Sequence, residues 1–182
     1  MIEERLRAVE SELHPLLFEG SNRAIASSVH WWAEVGLTVR VVRGRKMRSR
    51  TGLFDEFAAA LQFPLYFGEN ADAFDECVRD LGDSLPAGRG YVIVITEPDQ
   101  LLADARYEEL AWVAGTLGDA CEELARPAAL GETRDRPGVP FHVVLAGDRE
   151  ALGRAARRWV DFGHAPVSVG GAPAVDGHPR VS

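Results

Sequence analysis

The chain has 182 residues, 46% of them hydrophobic and 26% charged. That is enough for one domain with a proper core, or one domain with an appendage, and it excludes an intrinsically disordered chain. A net charge of −8 and a pI near 5.1 exclude a general binder of phosphate backbones and suit a basic partner instead.

No apolar run reaches the roughly eighteen residues a membrane span needs. The opening segment, MIEERLRAVESELHPLL, is too charged for a signal peptide. Cys77 and Cys121 lack a paired-motif spacing and read as reduced core thiols. The five histidines are scattered, so no metal site is expected. Together these features fit a cytoplasmic protein without a cofactor.

In chain order, residues 1–18 carry Leu6, Val9, Leu13 and Leu16 or Leu17 at three-to-four spacing, which predicts a helix. Ser21 or Asn22 caps a second helix, with Ile25, Val29, Trp32 and Ala33 on one face and Gly36 at its end. The β-branched run 37–42 is a strand. Thr51 caps a helix striped by Leu53, Phe54, Phe57, Ala58 and Leu61, and Pro64 follows its end. A short helix spans about 71–81, and "YVIVI" at 91–95 is a strand covered on both faces. Residues 99–125 form one long helix or two shorter ones, and 126–140 a polar loop rich in proline and glycine. A third strand follows at 141–147 and a last helix at 148–162. The tail, 163–182, is expected to be loosely ordered.

Strands alternating with helices predict an α/β fold with a small three-stranded parallel sheet flanked by helices. The expected division is an N-terminal helical extension at 1–36, the α/β domain at 37–162, and the tail. No glycine-rich phosphate loop follows any strand. The residues after the three strands are Arg-Gly-Arg-Lys, Thr-Glu-Pro-Asp and Asp-Arg-Glu.

The helix at 71–81 holds the chemistry. Asn70 stands at its N-cap, and Asp72 in the first turn meets the favourable end of the helix dipole. At about 100° per residue, Asp72, Asp75, Glu76, Asp80 and Asp83 gather on one side, while Phe74, Cys77, Val78 and Leu81 gather on the other. Like charges at this spacing cost about a few tenths of a kcal/mol per pair, and residues 64–85 contain a single base, Arg79. Tyr66 and Phe67 precede the cap, where a ring can flank the acidic face as an interface anchor.

The stretch "FPLYFGENADAFDECV" resembles the central motif of the barstar family, intracellular inhibitors of secreted microbial ribonucleases. The matching residues are Pro64, Tyr66, Phe67, Gly68, Glu69, Asn70, Asp72 and Ala73. The strand "VRVVRG", the helix "MRSRTGLFDEFAAAL" and the later strands extend the resemblance over roughly 38–147. It implies a barstar-like fold and inhibition by mimicry, with carboxylates taking the place of RNA phosphates in a basic cleft. The implied partner is a basic secreted ribonuclease bound one to one. The implied contacts are Tyr66, Asn70 and Asp72, together with Asp75 and Glu76. At the last two positions the family's reference member has Trp and Asp. Asp72 and Glu76 are the expected main carboxylates.

Two other readings stay open. A barstar-fold module could bind a different basic protein, or Asp72 and Glu76 could act as an acid–base pair. A convex, solvated helix face disfavours the pair, because it does nothing to separate two carboxyl pKa values. Six basic residues at 40–50 (Arg40, Arg43, Arg45, Lys46, Arg48, Arg50) read as a solvated turn or a counter-charge for the acidic face, rather than a nucleic-acid site. Of the adjacent Trp31 and Trp32, one is expected in the core and the other exposed.

Overall fold

The computed structural model describes residues 2–86, 88–127 and 137–171. Strands β1 (Leu16–Glu19), β2 (Thr38–Arg43), β3 (Tyr91–Thr96), β4 (Phe141–Gly147) and β5 (Val167–Gly171) form one sheet. Its order is β2-β3-β4-β1-β5, and every pairing is parallel. The helices are α1 (Ile2–Leu6), α2 (Asn22–Glu34), α3 (Arg50–Leu61), α4 (Ala71–Arg79), α5 (Leu81–Ser84), α6 (Tyr107–Ala125) and α7 (Arg149–Val160).

The expected three-stranded sheet is therefore corrected to five strands. The predicted helix over 1–18 ran across Pro15, which has no amide hydrogen and clashes with a continuing helix. Helix α1 stops at Leu6, and the chain emerges from Pro15 as β1, pairing Leu16 with Val144. The leucine spacing that looked helical instead places Leu13 and Leu16 in the core from an extended segment. Strand β5 comes from the segment expected to be a loose tail. Its Val-Ser-Val-Gly-Gly sequence is short and glycine-rich, a weak strand signal, yet Val167 and Ser168 pair with Leu16 and Leu17. Thus β1 and β5, from segments the sequence assigns outside the central domain, extend the same sheet. Residues 172–182 and 128–136 lie outside the described residues.

Strict alternation along the central strands divides the core into two layers. Tyr91, Ile93 and Ile95 of β3 and Phe141, Val143 and Leu145 of β4 face a layer packed by α3, α4, α6 and α7. Val92, Val94, Val144 and Ala146 face the opposite layer, where Leu6, Ile25 and Trp32 pack. The chain passes from β1 to β2 in the reverse direction to its later crossovers. A uniform right-handed connection therefore puts α2 on the face opposite α3 and α6. Trp32 is buried, 5.2 Å from the Phe18 ring, whereas Trp31 is 52% exposed.

Side-chain caps start α2, α3, α4 and α7, whereas α6 begins at Arg106 without one. Ser21 accepts from the Ala24 amide, and Asp148 from that of Ala151. Helix α3 is capped by Ser49 rather than Thr51, with the Gly52 amide as donor. Among the described residues no helix is long and apolar enough to cross a membrane.

Candidate functional site

The surface around α4 is built by a turn, a cap and an aromatic bed. Helix α3 ends at Gln62 in the left-handed region (φ 55°). The chain then folds over Pro64, whose carbonyl accepts the Phe67 amide at 2.9 Å. This turn separates the aromatic pair. Phe67 points inward, 5.1 Å from the Phe63 ring and 5.7 Å from Phe54, while Tyr66 is 87% exposed. Leu65 projects fully into solvent. Its exposure was not legible in the sequence, where an apolar residue between Pro64 and Tyr66 has no periodic neighbours to assign it a side.

The Gly-Glu-Asn segment sets the helix start. Asn70 Oδ1 accepts from the Ala73 amide at 3.0 Å, and Asn70 Nδ2 donates to the Gly68 carbonyl at 3.2 Å. A Cβ at Gly68 would lie 2.8 Å from Asn70 Nδ2, so a side chain there would displace the Asn70 amide from its bond to the Gly68 carbonyl. Glu69 takes a left-handed conformation (φ 48°), and its side chain stays exposed.

Beneath α4, Phe74 is wholly buried. Its ring centroid lies 5.2 Å from Phe57, 5.3 Å from Trp112, 5.6 Å from Phe54 and 6.0 Å from Phe63. Rings at these spacings add packing energy to the burial of the helix's apolar stripe. The helix is thus fixed on one side and presents its carboxylates on the other.

Asp72 and Glu76 are exposed and one helical turn apart. Among the described residues, neither has a Lys, Arg or His within 4.0 Å. Asp75 is placed differently from the helical-wheel expectation that groups it with the solvent-facing acids. Its carboxylate is half-buried against α6, where Oδ1 accepts from Trp112 Nε1 at 3.1 Å and from the Thr116 hydroxyl. Asp80 is exposed at the helix end. The side chain of Asp83 lies outside the described residues.

A groove of about 330 Å³ runs along α4 beside these groups. Tyr66, Phe67, Asn70, Glu76, Cys77 and Asp80 line it, so apolar walls end in carboxylates. Burial pushes the Cys77 thiol up, aided by the charges of Glu76 and Asp80, so it stays protonated near neutrality.

The basic run at 40–50 does act as counter-charge, but toward other elements than the acidic helix. Arg43 pairs with Glu56 at 2.7 Å, Arg45 with Glu97 at 2.9 Å, Arg48 with Asp104 and Arg50 with Glu109. The Arg43 guanidinium holds the Glu56 carboxyl below its usual range. With four guanidiniums committed in this way, the run offers little to a phosphate backbone and, among the described residues, forms no ion pair with α4. Among the described residues, no cluster of His, Cys, Asp or Glu is arranged to hold a metal ion.

Fold and surface together define an α/β protein that displays a capped, rigidly bedded acidic helix beside an exposed tyrosine. Residues 37–146, well over half of the chain, match the Barstar (barnase inhibitor) family, and the chain belongs to that family. No curated protein matches the chain. Among solved structures it is similar to the Walker-type ATPase paby2304 of Pyrococcus abyssi, with a TM-score of 0.50 and 16% identity. The match covers 86% of this chain and 48% of that one. At that identity the likeness is one of fold alone, and this chain spans about half the length of that protein. The phosphate-loop pattern G-x-x-x-x-G-K-[ST] does not occur in this sequence.

Proposed function

We propose that the protein inhibits a basic ribonuclease by seating the exposed face of α4 in the enzyme's active-site cleft, one inhibitor per enzyme. The observation that carries the reading is the state of Asp72 and Glu76. Both are exposed on a rigid helix, and among the described residues neither is paired with a base, while Arg43, Arg45, Arg48 and Arg50 are committed to other acids. A cleft that binds RNA phosphates presents Arg, Lys and His. Carboxylates placed there form desolvated, charge-assisted pairs. Tyr66 stands at the edge of that face as an aromatic anchor. The protein acts as a stoichiometric binder and works in the cytoplasm, where a cell must neutralise such an enzyme.

The test is titration of the full chain against small basic microbial ribonucleases, reading RNA cleavage. Loss of activity with an equivalence point at one to one supports the reading. Undiminished cleavage at excess protein across such enzymes refutes it.

A different basic protein as target is the second reading. The inward turn of Asp75 favours it, because it reshapes the surface where the family's reference member presents a tryptophan. Calorimetric binding to a basic protein without ribonuclease activity, with no effect on any ribonuclease, would select this reading.

A further inference from the structure

We infer that Asp75 is a positioning residue, which locks α4 against α6 and thereby aims Glu76, rather than a partner contact. The inference rests on the reading that α4 is the binding face.

Trp112 and Thr116 are one turn apart on α6, so their donors converge on the same point. Both bonds fall on one oxygen of Asp75. Neither donor is free to follow a moving helix. Thr116 is 4% exposed. The Trp112 ring is wedged between Phe74 and Phe54, with the Arg50 guanidinium 4.9 Å from its centroid. Arg50 is in turn held by Glu109 on α6 itself. The acceptor is therefore pinned by a rigid wall, and Phe74, its neighbour in sequence, is pinned in the same bed.

On a helix the next residue points about 100° away. Fixing Asp75 and Phe74 therefore fixes the direction of Glu76, with no contact to Glu76 needed. Asp72, one turn earlier, is fixed by the same rotation. Without the clamp the apolar bed still holds α4, but the helix has a rotational freedom that the apolar contacts alone do not remove. Preorganised carboxylates bind more tightly because less is spent on ordering them during association.

The chemistry separates this role from direct contact. The role requires an acceptor oxygen, not a charge, so Asp75→Asn preserves it while Asp75→Ala abolishes it. Thr116→Val removes one donor and leaves the carboxylate charged, in case the alanine variant folds poorly. The full-length chain and its three variants are titrated against an inhibited ribonuclease. Backbone and indole N–H resonances are recorded on each protein alone. Asp75→Asn is expected to keep affinity within about threefold, whereas Asp75→Ala and Thr116→Val each weaken it about tenfold. In the free proteins, Asp75→Ala and Thr116→Val move the amide resonances of Asp72 and Glu76 together with the Trp112 indole, and Asp75→Asn largely restores them. Equal losses for Asp75→Asn and Asp75→Ala would overturn the inference, as would unmoved Asp72 and Glu76 amides in Asp75→Ala. If the parent chain binds no ribonuclease, the functional reading fails, and the resonances of the free proteins still decide the clamp.

Discussion

Asn70 and Gly68 close a loop on each other: the Asn70 amide group donates to the Gly68 carbonyl while its oxygen caps the first turn of α4. One side chain therefore both closes the turn that follows Tyr66 and Phe67 and starts the helix that exposes Asp72. Asn70→Ala loses both bonds, and loss of an N-cap costs about 1 kcal/mol. The expected outcome is a small drop in melting temperature with a larger loss of partner affinity. Asn70→Asp, which keeps the acceptor, should melt close to the parent protein. Calorimetry on the three proteins checks this.

The exposed carboxylates should separate binding from stability. Glu76→Ala or Asp72→Ala is expected to cost about 2–4 kcal/mol of ribonuclease affinity if these are interface hot spots. Stability should change by about 0.5 kcal/mol or less, as for surface substitutions away from packed groups. The association rate should also fall as salt rises, and fall less steeply in either variant. Stopped-flow association at several ionic strengths measures it.

Phe74 tests the bed beneath the helix. Replacing a wholly buried phenylalanine by alanine costs about 3–5 kcal/mol, and here four other rings lose a partner. Phe74→Ala should lower the denaturation midpoint markedly. Phe74→Leu should recover much of the loss.

His142 gives the fold a sensitivity to mild acid. It is buried on β4 and donates from Nε2 to the Ala8 carbonyl, with Glu10 and Arg5 as the charges acting on it. Burial, the largest influence, pushes its pKa below 6.5; the Ala8 bond and Glu10 oppose the shift, and Arg5 adds to it. A lowered folded-state value means that the unfolded chain binds the proton more readily. Stability is then complete above the unfolded pKa and declines as pH falls through 6.5 toward the folded value. The slope contributed is at most about 1.4 kcal/mol per pH unit. Denaturant midpoints from pH 8 to 5 should fall in the parent chain and stay flatter in His142→Gln. The carboxylates held below their ordinary range, Glu56 and Asp104, lose their contribution only at more acid pH.

The family-matched segment should not stand alone. Cut to residues 37–146, the protein loses β1, and β4 becomes an edge strand with Val144 and Ala146 uncovered. Such an edge invites pairing between chains. Light scattering should show this fragment aggregating at concentrations where the full chain does not.

Much of this architecture could be read from the residues. The apolar runs of β3 and β4, the leucine and phenylalanine stripe of α3 and the Asn70 cap follow from local hydrophobic patterning and capping chemistry. The failures have specific causes. Leucines at 13, 16 and 17 match a helical period by coincidence, and Pro15 was the signal that should have overridden it. Strand β5 owes its state to β1 beside it, not to its own glycine-rich sequence. A helical wheel puts Asp75 with the other acids because it knows only the helix's own geometry. The donors that capture this carboxylate sit on α6, about forty residues away in sequence. The exposure of Leu65 likewise depends on how the turn at Pro64 closes, which no periodicity describes.

The position of β1 between β4 and β5 has a consequence for biosynthesis. A ribosome releases Leu16 and Phe18 early, yet the strands that flank them are the last to be made. An apolar strand must therefore wait, unpaired, while most of the polypeptide is translated. Pairings so distant along the chain slow folding and lengthen exposure to aggregation. The nascent protein is at its most vulnerable before β4 and β5 emerge.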